Sequence, residues 1–270
     1  MQSMDIGVAR LTSRALVRVS GPDWRSFLQG LLTQDVETLA EGELRFAALL
    51  TPQGRLLFDL FVLQKGDSAL LDVAADRREA LIQRLSMYRL RAKVEITADE
   101  GGVWAAWPEV TKGRLTDPRL KALGARAYGA APTAETASEA DYQAWRLSLG
   151  VPDPAADCQP DRTYPIEADF DLLGAIDFHK GCFVGQETTS RMKRRGQIKT
   201  RTLPIVFEGP APVFGAEVLT SDELRAGEVL SGGEGRAMAL LRLDRIEGAK
   251  LSVDGRPVRV ERPAWFDPQD

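Results

Sequence analysis

RFAALLTPQGRLLFDLFVLQKGDSALLDV, residues 45–73, decides the fold class. RFAALLT and RLLFDLFVL are apolar runs of strand length on either side of Pro52-Gln53-Gly54, a tight turn, and Lys65-Gly66-Asp67 turns the chain into a third run, ALLDV. Three consecutive strands predict a meander. Upstream, ALVRVS at 15–20 reads as a further strand, and Gly21-Pro22 opens a helix whose Trp24, Phe27, Leu28 and Leu31 recur at helical spacing. Downstream, Asp76 and Glu79 form a capping-box-like start for a helix with Leu81, Ile82, Leu85 and Tyr88 on one face, after which RAKVEIT returns as a strand. Strands and helices in this order predict an α+β unit.

Residues 108–140 are rich in Ala, Gly, Pro and Thr without a sustained period, which reads as a connection. Ser138 and Asp141 then cap a helix carrying Tyr142, Trp145 and Leu149 on one face, closed by Gly150 with Pro152 beyond it. After residue 202 the chain breaks into short strands, TLPIVFEG, EVLT, LRAGEVLS, RAMALLRL, KLSV and PVRVE, the last two joined by Asp254-Gly255. That tail predicts a small all-β domain, sandwich or barrel.

The 270-residue chain has 44% hydrophobic and 27% charged residues and a net charge of -4, which disfavours wholesale attraction to nucleic acid or an anionic membrane. Its two cysteines, Cys158 and Cys182, form neither a disulfide framework nor a C-x-x-C pair, and a single histidine, His179, excludes a multi-histidine metal site. With no stretch long and apolar enough for a membrane span and no signal-like start, the expected setting is the cytoplasm.

Chemistry concentrates in DFHKGCFVGQETTSRMKRRG, residues 177–196. A thiolate at Cys182 would be favoured by Lys180 or a protonated His179, although cysteine is also among the most often buried side chains. Gly181 and Gly185 let the backbone turn or approach a ligand, and Gln186 and Glu187 offer donors and acceptors to a heteroaromatic edge; a pocket wall and a surface turn both satisfy that pattern. RMKRRGQIKTR at 191–201 holds six Lys or Arg and no acid, and reads as a solvated face or a small-anion site more readily than as an RNA contact. Glu167, Asp169, Asp171 and Asp177 are further acids, and Tyr142 and Trp145 read as core aromatics.

These residues carry a resemblance. KGCFVGQE at 180–187, followed by Arg191 and the glycine of RRGQIKTR, resembles the signature of the YgfZ-type folate-binding proteins, a group with roles in maturing iron–sulfur proteins and related to the glycine-cleavage T-protein, an aminomethyltransferase. GPDWRSFLQGLLTQDV, AALLTPQGRLLFDLFVL, YRLRAKVEI, WRLSLGVP and YPIEADFDLLGAIDFHKGCFVGQE follow the family's blocks in order along nearly the whole chain. The resemblance implies a T-protein-like fold: two interleaved α+β subdomains over 1–201, with an insert at about 44–110, and a C-terminal β-barrel over 202–270, surrounding a hole that holds tetrahydrofolate.

Carried over residue by residue, the family's functional cysteine falls on Cys182, with Lys180, Gly181, Gly185, Gln186, Glu187 and Arg191 around it, and folate contacts fall on Tyr142, Arg146, Ser148 and Glu167. Three T-protein features are missing. Ser148 stands where a T-protein keeps a folate-binding glutamate, Gln186 where it keeps an arginine, and LLDVAADRRE does not reproduce the block of the catalytic aspartate, its nearest acid being Glu79. A second folate-contact aromatic falls near Arg14 and is absent. The resemblance therefore implies a tetrahydrofolate-binding factor of iron–sulfur cluster assembly or repair, with iron–sulfur proteins or their assembly machinery as partners and an effect on tRNA-modifying iron–sulfur enzymes. A folate-dependent aminomethyl transferase and a tRNA-binding module remain as alternatives.

Overall fold

The computed structural model of the chain describes residues 6–108, 114–195 and 198–266. In chain order the elements are β1 (Gly7–Arg10), β2 (Arg14–Ser20), α1 (Trp24–Gln29), β3 (Leu44–Leu50), β4 (Leu56–Lys65), β5 (Ser68–Ala74), α2 (Arg78–Arg89), β6 (Glu95–Asp99), β7 (Gly102–Trp107), β8 (Leu115–Thr116) and β9 (Ala125–Gly129). They continue with α3 (Glu139–Ser148), α4 (Pro154–Asp157), α5 (Gln186–Arg195), β10 (Thr200–Val206), β11 (Glu217–Thr220), β12 (Arg225–Gly233), β13 (Arg236–Arg242), α6 (Leu243–Ile246), β14 (Leu251–Val253) and β15 (Arg256–Val260).

The predicted meander is present as β3, β4 and β5, and β2 and β6 extend it into a five-stranded antiparallel sheet of order β3-β4-β5-β2-β6. β3, β4 and β5 read as nearly unbroken apolar runs because both of their faces are covered. Along β3, Phe46, Ala48 and Leu50 enter one core with Phe170 and Phe183, while Ala47 and Leu49 enter another with Leu28, Leu81 and Leu85 from the helices. One strand thus anchors two layers.

A second sheet, β1-β7-β9-β8, packs against α3, where the Tyr142 ring lies 5.4 Å from Trp107. Since β1 pairs with β7 while β2 to β6 pair among themselves, the larger sheet is inserted between the first and second strands of the smaller one. The subdomains interleave as the resemblance implies, but the insertion runs from Arg14 to Asp99 and not from about 44 to 110, because β2 already belongs to the inserted sheet. The tail closes into a barrel of order β10-β13-β12-β11-β14-β15, and Asp254-Gly255 turns with both residues at positive φ (50° and 75°), as a two-residue hairpin needs.

Two local expectations change. α2 starts without a side-chain cap, since a 3-10 turn over Ala75–Arg77 leads into it and leaves Arg77, not Asp76, at the cap position. The presumed connection 108–140 carries β8 and β9, two short strands without sequence periodicity that are held by pairing, β9 with β7 and β8 with β9; its residues 109–113 lie outside the described residues. The Ser138–Asp141 capping box on α3 forms in full.

Candidate functional site

The 177–185 loop is fixed from beneath. Asp177 donates its backbone N–H to the Thr33 carbonyl at 3.0 Å, and its Oδ1 accepts from the backbone N–H groups of His179 and Lys180 at 2.8 and 3.1 Å. The Lys180 Nζ donates to the carbonyls of Gln29, Leu32 and Gln34 at 2.8, 2.7 and 2.8 Å, which places the ammonium on the backbone at the end of α1 and just beyond it. Burial pushes this ammonium down to about 8, against the opposing pull of Asp35, Asp177 and Glu37. Gly185, at φ 82°, sits where a Cβ would stand 2.6 Å from the Thr51 carbonyl, so the loop seats directly on the β3–β4 turn. Between these ties the apex is open: Gly181 and Cys182 are exposed, as is His179, while Phe183 is buried in the core. Lys180 therefore holds the loop that carries the thiol, and its charge is directed at α1.

Arg146 and Ser148 line a different feature, a cavity of about 1030 Å3 walled by the end of β5, by α3, by α4 and by the β12–β13 hairpin. This is the space between the two sheets and the barrel. Ser13, Gln143, Arg146 and Asp153 continue from it into a deeper arm with room for only about 10 Å3. That arm is closed by a buried ion cluster. Arg14 pairs with Asp59 at 2.8 Å and Asp72 at 2.6 Å; Arg126 bridges Asp72 at 2.6 Å and Asp117 at 3.2 Å; Arg119 pairs with Asp117 at 2.8 Å and donates to the Tyr142 hydroxyl at 3.1 Å. Burial opposes the Asp117 charge, but Arg119 and Arg126 hold its carboxyl down at about 2. Asp153 likewise stays below the usual carboxylate range despite burial, because Arg146, Arg14 and Arg119 surround it.

The open chamber exceeds the ~300–1,000 Å3 of typical ligand pockets, and its wall mixes alanine surface with the ionised Asp153, the Gln143 amide and the Ser148 hydroxyl. Asp153 and Gln143, which are joined by a hydrogen bond of 3.3 Å, are the residues that could hold the polar edge of a ligand there. Tyr142 lies behind the wall, 2% exposed, in the ion cluster.

The site residues expected from the sequence thus divide into groups. Tyr142, Arg146 and Ser148 belong to α3 and the cavity; Lys180, Gly181, Cys182 and Gly185 belong to the loop; Gln186, Glu187 and Arg191 ride on α5, which starts where the loop ends. Glu167 joins neither, and its carboxylate accepts the Tyr164 N–H at 3.0 Å while its carbonyl accepts from Thr202 in the barrel. Of the 191–201 bases, Arg201 is 5% exposed and pairs with Asp171 at 2.5 Å and Asp169 at 3.2 Å, and Lys193 pairs with Asp171 at 3.1 Å. Gly196 and Gln197 lie outside the described residues. The second thiol, Cys158, is half-buried, and burial together with Asp157 and Asp59 pushes it well above the usual range. Asp59, Asp72, Asp117, Arg119, Arg126 and Asp153 escaped the sequence reading, though a lone acid inside LLFDLFV and another inside LLDV were a visible signal of buried pairing.

Three units around a central cavity define the aminomethyltransferase T fold. The structure matches the glycine cleavage system aminomethyltransferase T from Bartonella henselae with a TM-score of 0.78, over 96% of this chain and 86% of that one, at 17% identity, a likeness of fold alone. Residues 199–268 match the model of the CAF17 C-terminal beta-barrel domain. The chain is 31% identical to the mitochondrial iron–sulfur cluster assembly factor IBA57 of Mus musculus, over 88% of this chain and 78% of that protein. It is 30% identical to the mitochondrial IBA57 homolog of Neurospora crassa, over 78% of this chain, and spans 56% of that protein's length. The chain belongs to the IBA57 iron–sulfur cluster assembly factor family. These relatives are mitochondrial, which overturns the cytoplasmic expectation: that no helix among the described residues is long and apolar enough to cross a membrane does not distinguish one aqueous compartment from another.

Proposed function

We propose that the chain acts in iron–sulfur cluster assembly through Cys182, and that its central cavity binds a reduced folate. The observation that carries the first part is the exposed Cys182 at the apex of a loop tied down by Lys180, in a member of a cluster assembly family. A cluster needs about four thiolate or equivalent ligands. Cys182 offers one, so the remaining ligands come from a partner protein of the assembly machinery. The second part is supported by the volume of the chamber and by its ionised Asp153. tRNA-modifying iron–sulfur enzymes enter as clients and not through a direct RNA contact of the 191–201 run, of which Lys193 and Arg201 are engaged with Asp171.

Deleting the gene should lower the activity of cluster-dependent enzymes, and the intact chain should restore it. Titration calorimetry of the pure protein with 5-formyltetrahydrofolate should give saturable binding. Unchanged cluster enzymes on deletion would remove the first part, and a flat titration of folded protein would remove the second.

A further inference from the structure

The larger sheet ends in an open strand beside an exposed leucine. β6 is the last strand in the order β3-β4-β5-β2-β6, and Glu95–Asp99 pair with β2 on one side only. Glu95, Thr97 and Ala98 are exposed, which leaves the outer N–H and C=O groups of the strand facing solvent. α2 lies along the same strand. It packs on β6, Arg78 in its first turn reaches Glu100 just past the strand at 3.1 Å, and its last turn leads through residues 90–94 into Glu95.

α2 ends at Leu90, whose backbone stands at φ 37° and ψ -97° and whose side chain is 90% exposed. A single exposed leucine is ordinary, but a positive φ at a bulky side chain is strained. Glycine would relieve the strain and remove the apolar surface together, so leucine carries two costs that the fold itself does not require. Met87, three residues earlier, is 67% exposed. Around these two side chains the charge is one-sided. Residues 84–97 hold Arg84, Arg89, Arg91 and Lys93 against one acid, Glu95, and Arg89, Arg91 and Lys93 are exposed. Among the described residues the ion pairs of α2 lie at its other end, where Arg78 meets Glu79 and Glu100. Asp23, which touches this turn, accepts the Lys93 backbone N–H through Oδ2 at 2.7 Å.

We propose that the β6 edge and the end of α2 form a docking surface for an acidic segment of a partner protein. The segment adds as a strand to β6, sets carboxylates against Arg89, Arg91 and Lys93, and rests an apolar side chain on Leu90. Main-chain pairing gives such an edge its affinity, and the flanking side chains give it selectivity. A second copy of this chain suits the edge poorly, because antiparallel pairing of two β6 strands about Thr97 sets Glu95 opposite Asp99. RNA would need rings on which to stack its bases, and Tyr88, the one aromatic residue of 84–97, packs against the core.

Amide NMR of the isotope-labelled full chain, titrated with a capped heptapeptide that alternates glutamate and valine, tests the surface. Saturable shifts are expected at residues 89–99, with slowed amide exchange in β6 and weaker binding as salt is raised. The same peptide with lysine in place of glutamate should leave these amides unmoved. Arg89→Glu combined with Arg91→Glu should weaken the glutamate peptide about tenfold. Leu90→Gly should weaken it about threefold while leaving the chain at least as stable in urea, because the backbone strain is relieved. No shifts at 89–99, equal binding of the lysine peptide, or a charge-reversed chain that keeps its affinity overturns the surface. An RNA oligonucleotide that moves these amides at lower concentration than the peptide, or a dimer of the chain that buries them, overturns the acidic protein partner.

Discussion

The Lys180 ammonium donates to the Leu32 carbonyl at 2.7 Å, a bond between the thiol-bearing loop and the chain just beyond α1. Lys180→Met keeps the length of the side chain and leaves the Gln29, Leu32 and Gln34 carbonyls without this donor, a loss of about 1–3 kcal/mol of stability. The expected outcome is lower stability in urea and faster amide exchange at 181–184. Unchanged exchange there would mean that these bonds do not hold the loop.

The same group sets a pH dependence. Its folded value is depressed to about 8 from 10.5, so between those values the unfolded chain binds more protons and this group's contribution to stability rises with pH. Comparing wild type with Lys180→Met by urea denaturation at pH 7.5 and pH 10 should show the wild type gaining relative to the variant at the higher pH. The opposite sign would contradict a buried ammonium held by carbonyls alone.

Gly185→Ala brings a methyl group to within 2.6 Å of the Thr51 carbonyl at a φ of 82°. Both the clash and the left-handed backbone oppose it, and the loop can relieve them only by lifting from the β3–β4 turn. The expected result is a loss of about 2 kcal/mol or more in denaturation, with Cys182 function reduced alongside it. Gly181→Ala, where a Cβ meets nothing within 4 Å, should be nearly neutral for stability in the same assay.

Arg126→Met removes the link between Asp72 and Asp117 and leaves each buried carboxylate with one guanidinium partner, Arg14 and Arg119 respectively, which should cost about 1–3 kcal/mol. The wild-type cluster also predicts acid behaviour. Asp117 is held at about 2, below its unfolded value, so its contribution is complete above about 4 and is lost as pH falls through 2. Unfolding followed from pH 5 to pH 2 should show this loss in the wild type and a smaller one in Arg126→Met.

Much of the architecture was legible because strands and turns write local patterns. The meander around Pro52-Gln53-Gly54, the Ser138–Asp141 cap and the Asp254-Gly255 hairpin each follow from a few adjacent residues. The cavity was not legible, because its walls come from Ser13, Ala74, Gln143, Asp153 and Ser231, which only the packing of three units brings together. The loop was legible in its residues but not in their roles. Lys180 adjoins Cys182 in sequence, yet its charge is spent on carbonyls some 150 positions away, a partner no local pattern announces.

The central claim is that Cys182 is the reacting group, and its most direct test is complementation in cells lacking this chain, read as the activity of a cluster-dependent enzyme. Cys182→Ala, at an exposed position where the thiol supports no packing, should fold with unchanged stability and fail to restore that activity, whereas Cys158→Ala should restore it. Full restoration by Cys182→Ala would contradict the account.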